Sequence, residues 1–143
     1  MSTEAAVGAC QVCDTRTNAD KDSVVYTDEL WTVALGWDVP GWYMVMVNRH
    51  DADWLWGLSD AEAAALGPLI RNVGQAAKTE AAAECVYMMG FGEQWQHFHF
   101  MLMSRLASTA MEFRGAGILA HAAELADRDE ALRVGARVRE RLA

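Results

Sequence analysis

The residues able to do chemistry gather at two places in this sequence. Near the start, two thiols stand as Cys10-Gln11-Val12-Cys13. In a chain with no visible export signal, that spacing points to metal binding or redox chemistry rather than a structural disulfide. Far along the chain lies His97-Phe98-His99-Phe100-Met101-Leu102-Met103. Side chains alternate between the faces of a strand, so His97, His99, Met101 and Met103 share one face. Phe98, Phe100 and Leu102 take the other, where a helix would cover them. Histidines facing away from an aromatic core, just after Gly90-Phe91-Gly92, are placed as site residues; the spacing also fits two hydrogen-bonded structural histidines. Cys85 lies in an apolar run and reads as a buried core thiol.

These residues need a scaffold, and the rest of the sequence supplies one. Residues 14–23 are polar and read as a loop. Val24 to Thr27 and Leu30 to Leu35 are β-prone runs separated by Asp28-Glu29, a hairpin pattern. Asp38-Val39-Pro40-Gly41 marks a turn. Trp42 to Val47 is continuously apolar, as in a strand covered on both faces, and Asn48-Arg49-His50-Asp51 closes it. Ser59 and Glu62 have the spacing of a capping box. The long helix they open carries Leu66, Leu69, Ile70, Val73 and Ala77 as its stripe, with Pro68 as a potential bend. Cys85 to Met89 reads as a further strand, and the segment from about Gly115 as helical. The expected class is α+β, a single domain over 1–143 with a core at 10–105 and a helical extension at 106–143.

Composition narrows the partners. The 143 residues are 52% hydrophobic, which suits one globular domain. Twelve basic against twenty acidic residues leave a formal charge of −8. That balance repels phosphodiester backbones, so a nucleic-acid polymer is not an expected partner. Met1 to Gly8 shows no signal-peptide pattern and no run reaches the length of a membrane span. The expected location is therefore the cytoplasm, without membrane association.

From Cys10 to Arg105 the chain resembles the histidine triad superfamily. The CxxC pair opens the domain as in the zinc-containing branches. Pro40-Gly41 leads into an apolar strand that ends at Arg49-His50. After a helix, a strand and a glycine loop comes the signature segment, His97 to Met103 followed by Ser104-Arg105. The resemblance implies an antiparallel sheet of about five strands with a long packed helix and, commonly in the family, a homodimer. It implies that Cys10, Cys13, His50 and His97 bind one zinc ion per chain. Two thiolates and two imidazoles close a tetrahedral shell, so that zinc would be structural. It also implies that His99 is the nucleophile, attacking the α-phosphorus of a nucleotide to give a phosphohistidine.

Two departures qualify the implied activity. The third signature histidine is replaced by Met101, whose sulfur is a weak acceptor and which has no strong donor. The loop Gly90-Phe91-Gly92-Glu93-Gln94-Trp95-Gln96 is short and places an acid where the family meets phosphate. Gly92, Gln94, Trp95 and Met101 remain the substrate-binding candidates. Trp37, Trp42 and Trp95 frame the implied pocket, with Met44, Met46, Met88 and Met89 on neighbouring strands. The expected activity is a nucleotide hydrolase or nucleotidyltransferase acting on a nucleoside phosphate or phosphoramidate. The alternative is a zinc-stabilised domain repurposed for a non-nucleotide small molecule.

Overall fold

The computed structural model describes residues 10–143, so the signal-peptide reading of Met1 to Gly8 lies outside the described residues. The fold is α+β. Helix α1 (Gln11–Asn18) is followed by strands β1 (Val24–Thr27), β2 (Trp31–Leu35) and β3 (Trp42–Val47), then the long helix α2 (Asp60–Glu80). Strands β4 (Ala83–Met89) and β5 (His99–Leu106) complete the sheet, and α3 (Ala122–Leu125) and α4 (Arg128–Leu142) end the chain. The five strands are ordered β1-β2-β3-β5-β4 and pair antiparallel throughout. Among the described residues no helix is long and apolar enough to cross a membrane.

Strand alternation builds two cores. Tyr43, Val45 and Val47 of β3 and Phe100 and Leu102 of β5 meet Leu69, Val73, Ala76 and Ala77 of α2. Val134 and Val138 of α4 enter the same core, so the helical extension is an integral wall and not an appendage. On the opposite face, Ala34 and Met46 pack with Cys10, Val12 and Cys13, while Trp42, Met101 and Met103 pack with Val39 and Ile118. A strand covered on both faces reads as an unbroken apolar run, which is why Trp42 to Val47 does not alternate.

The β1–β2 hairpin is closed by Asp28, whose carboxylate accepts the N–H groups of Leu30 and Trp31, both at 2.8 Å. Pro68 sits inside α2, which continues through it to Glu80. Proline frees the carbonyl four residues back, here that of exposed Ala64, where water can satisfy it.

Three readings need correction. Residues 14–18 are helical, because Cys10 caps α1 by accepting the Cys13 N–H at 3.4 Å. Only Val12 and Cys13 of that helix are buried, so it has no apolar stripe by which sequence periodicity would reveal it. Cys85 is only half-buried and Met88 is exposed, since β4 is an edge strand. The signature strand begins at His99, leaving His97 in the segment before it.

The capping box at Ser59 forms, and it does more than cap. Glu62, 3% exposed, accepts both the Arg49 Nε at 3.1 Å and an Arg49 terminal nitrogen at 2.8 Å, besides the Ser59 N–H at 2.7 Å. The start of α2 is thereby tied to the turn carrying His50. Hydrogen bonds from Arg49, opposed by burial and assisted by Ser59, hold the Glu62 carboxyl below its ordinary range. A carboxyl whose folded pKa is depressed stabilises the fold above its unfolded value, near 4.3, and that contribution disappears as pH falls through the folded pKa. Glu62→Gln should therefore lower stability at pH 7 by about 1.5–3 kcal/mol. Denaturant melts of variant and parent should converge as the pH is lowered below about 4. A gap that stays constant into acid would exclude ionised Glu62 as its cause.

Candidate metal centre and histidine face

Backbone geometry brings the four metal candidates together. The Val47 N–H donates to the Phe98 carbonyl at 3.3 Å, and the Phe98 N–H donates to the Ala52 carbonyl at 2.8 Å. These bonds clamp the His97 segment to the turn after β3 that carries His50. Helix α1 then lays its N-terminus over both. The Cys13 Sγ lies 3.2 Å from the His50 Nδ1 and 3.3 Å from the His97 Nδ1, and the Cys10 Sγ lies 3.5 Å from the His97 Nδ1. All four ligand atoms fall within 4.8 Å of one another.

These spacings suit a shared ion. Bond lengths of about 2.3 Å to sulfur and 2.0 Å to nitrogen at tetrahedral angles place ligand sulfur and nitrogen about 3.5 Å apart. The His97 Nε2–H donates to the Val47 carbonyl at 2.5 Å, which fixes the tautomer and aims the Nδ1 lone pair at the sulfurs. Burial holds the His97 imidazole below its ordinary pKa, with the Val47 carbonyl partly opposing and His50, Arg16 and His99 adding to the shift. It is thus kept neutral, as a ligand must be. Burial likewise pushes the Cys13 thiol up to about 11, helped by Cys10 and opposed by Arg16. A thiol shifted that way is a poor redox nucleophile, so the environment favours metal binding over thiol–disulfide chemistry. A dication supplies the charge that makes such thiols ionise. Donor set, spacing and burial are those of a group that could hold one metal ion.

His99 is held differently. It opens β5 opposite Met46, and its Nδ1–H donates to the His97 carbonyl at 2.8 Å. A carbonyl only accepts, so the proton is on Nδ1 and the lone pair on Nε2. The imidazole lines a cavity of ≈ 560 Å³ on this face of the sheet. Gly92, Gln94, Trp95 and Met101, the four substrate-binding candidates, line the same cavity. Gly92 stands at φ +72° and packs so closely on Trp54 that a Cβ would lie 2.5 Å from the ring. Met101 lies over Gly36, where a Cβ would meet its methyl at 2.8 Å. Arg105, the last signature residue, turns away to an ion pair with Glu84 and does not line the cavity.

Several contributors escaped the sequence reading. Gln11 and Thr15, one helical turn apart on α1, line the cavity from the helix that also carries Cys10 and Cys13. Their spacing of four would have placed them on one face had α1 been recognised. Trp95 and Met44 both pack against the Cys10, Val12 and Cys13 cluster and line the cavity. The metal centre and the histidine face therefore share a wall. A second cavity, ≈ 470 Å³ between β1, α2 and the end of α4, includes Tyr26, Asp28 and Arg141 and lies apart from these histidines.

No family model matches this chain, and no curated protein matches it by sequence. Solved structures do match in shape. A zinc-bound histidine triad family protein from Mycobacterium smegmatis is 17% identical with a TM-score of 0.68, over 95% of this chain and 96% of that one. A hypothetical histidine triad nucleotide-binding protein from Sulfolobus tokodaii is 15% identical with a TM-score of 0.70, over 93% of this chain and 91% of that one. A uridylyltransferase matches 94% of this chain over 45% of its own length, at 20% identity and a TM-score of 0.62. At such identities the likeness speaks for architecture, and with the strand order, the packed helix and the Cys2His2 cluster it leads to one conclusion: this chain has the histidine triad fold.

Proposed function

We propose that this protein binds and converts a non-nucleotide small molecule, with zinc at Cys10, Cys13, His50 and His97 as a structural element and His99 as the reacting group. The observation that carries the reading is the lining of the His99 cavity: among the described residues it contains no Lys or Arg, and its one carboxylate is Glu93. A phosphate chain placed there would meet a negative charge and no side-chain cation. What remains of catalytic machinery is the His99 Nε2 lone pair, fixed by the hydrogen bond from Nδ1 to the His97 carbonyl. Such a nitrogen can attack an electrophilic centre, hold the transferred group while the leaving group departs with its electron pair, and release that group to water or another acceptor. Four ligands leave zinc no open position, so its role is to anchor α1 to the sheet. A homodimer, as is common in the family, is compatible with this role, and the polymeric nucleic acids remain unsuited to the acidic surface.

Nucleotide hydrolysis or nucleotidyl transfer is the second reading, and the retained His99 favours it. In that reaction the Nε2–P bond would form as the bond to the leaving group breaks, and water would then take phosphorus and free the imidazole. Met101→His separates the two. Restoring a donor worth about 1.5–3 kcal/mol would raise hydrolysis of diadenosine tetraphosphate or adenosine phosphoramidate roughly ten- to hundredfold if the cavity were a nucleotide site. The expected result is no such gain, because Glu93 and the missing cations remain. A gain of that size, read by chromatography, would return the assignment to nucleotides.

A further inference from the structure

The cavity beside His99 is built for a particular kind of molecule. Trp37, Phe91 and Trp95 supply three aromatic rings, and Met44, Met89, Met101 and Met103 supply flexible thioethers that mould to flat apolar surfaces. Gln11, Thr15 and Gln94 add neutral hydrogen-bonding groups. Glu93 is exposed and makes no ion pair among the described residues.

Trp37 is the second observation. It stands at φ +57°, beside Asp38 at φ +53°, a left-handed conformation that costs a bulky residue free energy. The turn is braced on three sides. The Gly36 N–H donates to the Trp42 carbonyl at 2.9 Å, the Asp127 N–H donates to the Asp38 carbonyl at 2.9 Å, and Arg128 pairs with the Asp38 carboxylate at 2.6 Å. The result is an indole left 45% exposed at the cavity, set edge-on to buried Trp42 at 6.4 Å between ring centres. The Val39 N–H donates to the Gly36 carbonyl at 3.4 Å, so the backbone here is that of a β-turn with both central residues left-handed, and the turn between β2 and β3 leaves the indole as a braced apolar surface at the cavity.

We infer that the ligand class of this cavity is a flat aromatic molecule bearing a protonated amine, with its ring stacked on the tryptophans and its ammonium group facing Glu93. The inference rests on the non-nucleotide reading of the His99 face and specifies it. A cation gains from the faces of the indoles, from Glu93 and from the acidic protein as a whole, whereas an anion is opposed by the last two.

Binding of 1-naphthylmethylamine, 1-naphthylmethanol, 1-naphthoate and AMP to the zinc-loaded protein at pH 7 tests this by calorimetry, with the imidazole NMR signals of His99 locating the site. The amine should bind roughly tenfold more tightly than the alcohol and more tightly still than the carboxylate. Glu93→Gln should narrow the gap between amine and alcohol severalfold, and Trp37→Ala should weaken both. An amine preference that survives Glu93→Gln unchanged would belong to the indole faces and the field of the whole protein and would overturn the Glu93 assignment. Preference for naphthoate would overturn the ligand class while leaving an apolar small-molecule site. Tight AMP binding that moves the His99 signals, or no naphthyl compound moving them, would overturn both the inference and the reading beneath it.

Discussion

Cys13→Ala should strip the protein of its metal and much of its stability. Elemental analysis of the parent should show about one zinc per chain, and of the variant close to none. The Cys13 sulfur contacts both imidazoles, at 3.2 and 3.3 Å, so its loss would break the proposed donor set at two contacts. Structural zinc contributes roughly 10 kcal/mol or more of apparent binding energy in small domains. Even a fraction of that, about 3–5 kcal/mol, would lower the melting temperature of a domain this size by roughly 10–20 °C. The effect should reach the cavity, because Gln11 and Thr15 sit on the helix that a bound metal would anchor. Zinc affinity of the parent should also climb with pH, since the Cys13 thiol, pushed up to about 11 without metal, must lose its proton to bind. Chelator-treated protein that is metal-free yet melts unchanged would remove the structural role of the ion.

His99→Ala and His97→Ala should fail in different ways, although the two histidines are neighbours on one segment. Loss of a covalent nucleophile typically costs several orders of magnitude, so His99→Ala should lower turnover of the natural substrate by about 10⁴-fold or more. Its zinc content and melting temperature should stay near the parent values, because His99 is half-buried and, among the described residues, its one side-chain hydrogen bond is to the His97 carbonyl. His97→Ala removes a group that is 1% exposed and faces both sulfurs. That variant should lose zinc and unfold at lower temperature before any effect on chemistry can be read. If both variants kept equal zinc and lost activity alone, the division of labour between the two histidines would be wrong.

The strands, the long helix and the residue types at the site were legible in the amino-acid sequence. Those features are local: alternation in the signature strand, the Ser59–Glu62 box, the turn at Pro40-Gly41 and the CxxC pair each follow from chain geometry over a few residues. The convergence of Cys10, Cys13, His50 and His97 into one cluster was legible only through resemblance, since Cys13 and His50 are far apart in sequence and meet through sheet register. Helix α1 was invisible because its helicity depends on a cysteine cap and on contacts at one end, with no apolar stripe to announce it. The exposure of Cys85 and Met88 follows from strand order, which composition does not encode. The Arg49–Glu62 pair joins a turn to a helix cap, and sequence showed only the cap. Most consequential is the charge of the cavity. Arg105 closes the signature in sequence, and in the fold it pairs with Glu84. Which charges face a ligand is decided by side-chain direction on assembled strands, and only the tertiary structure shows that none of the basic residues lines the cavity beside His99.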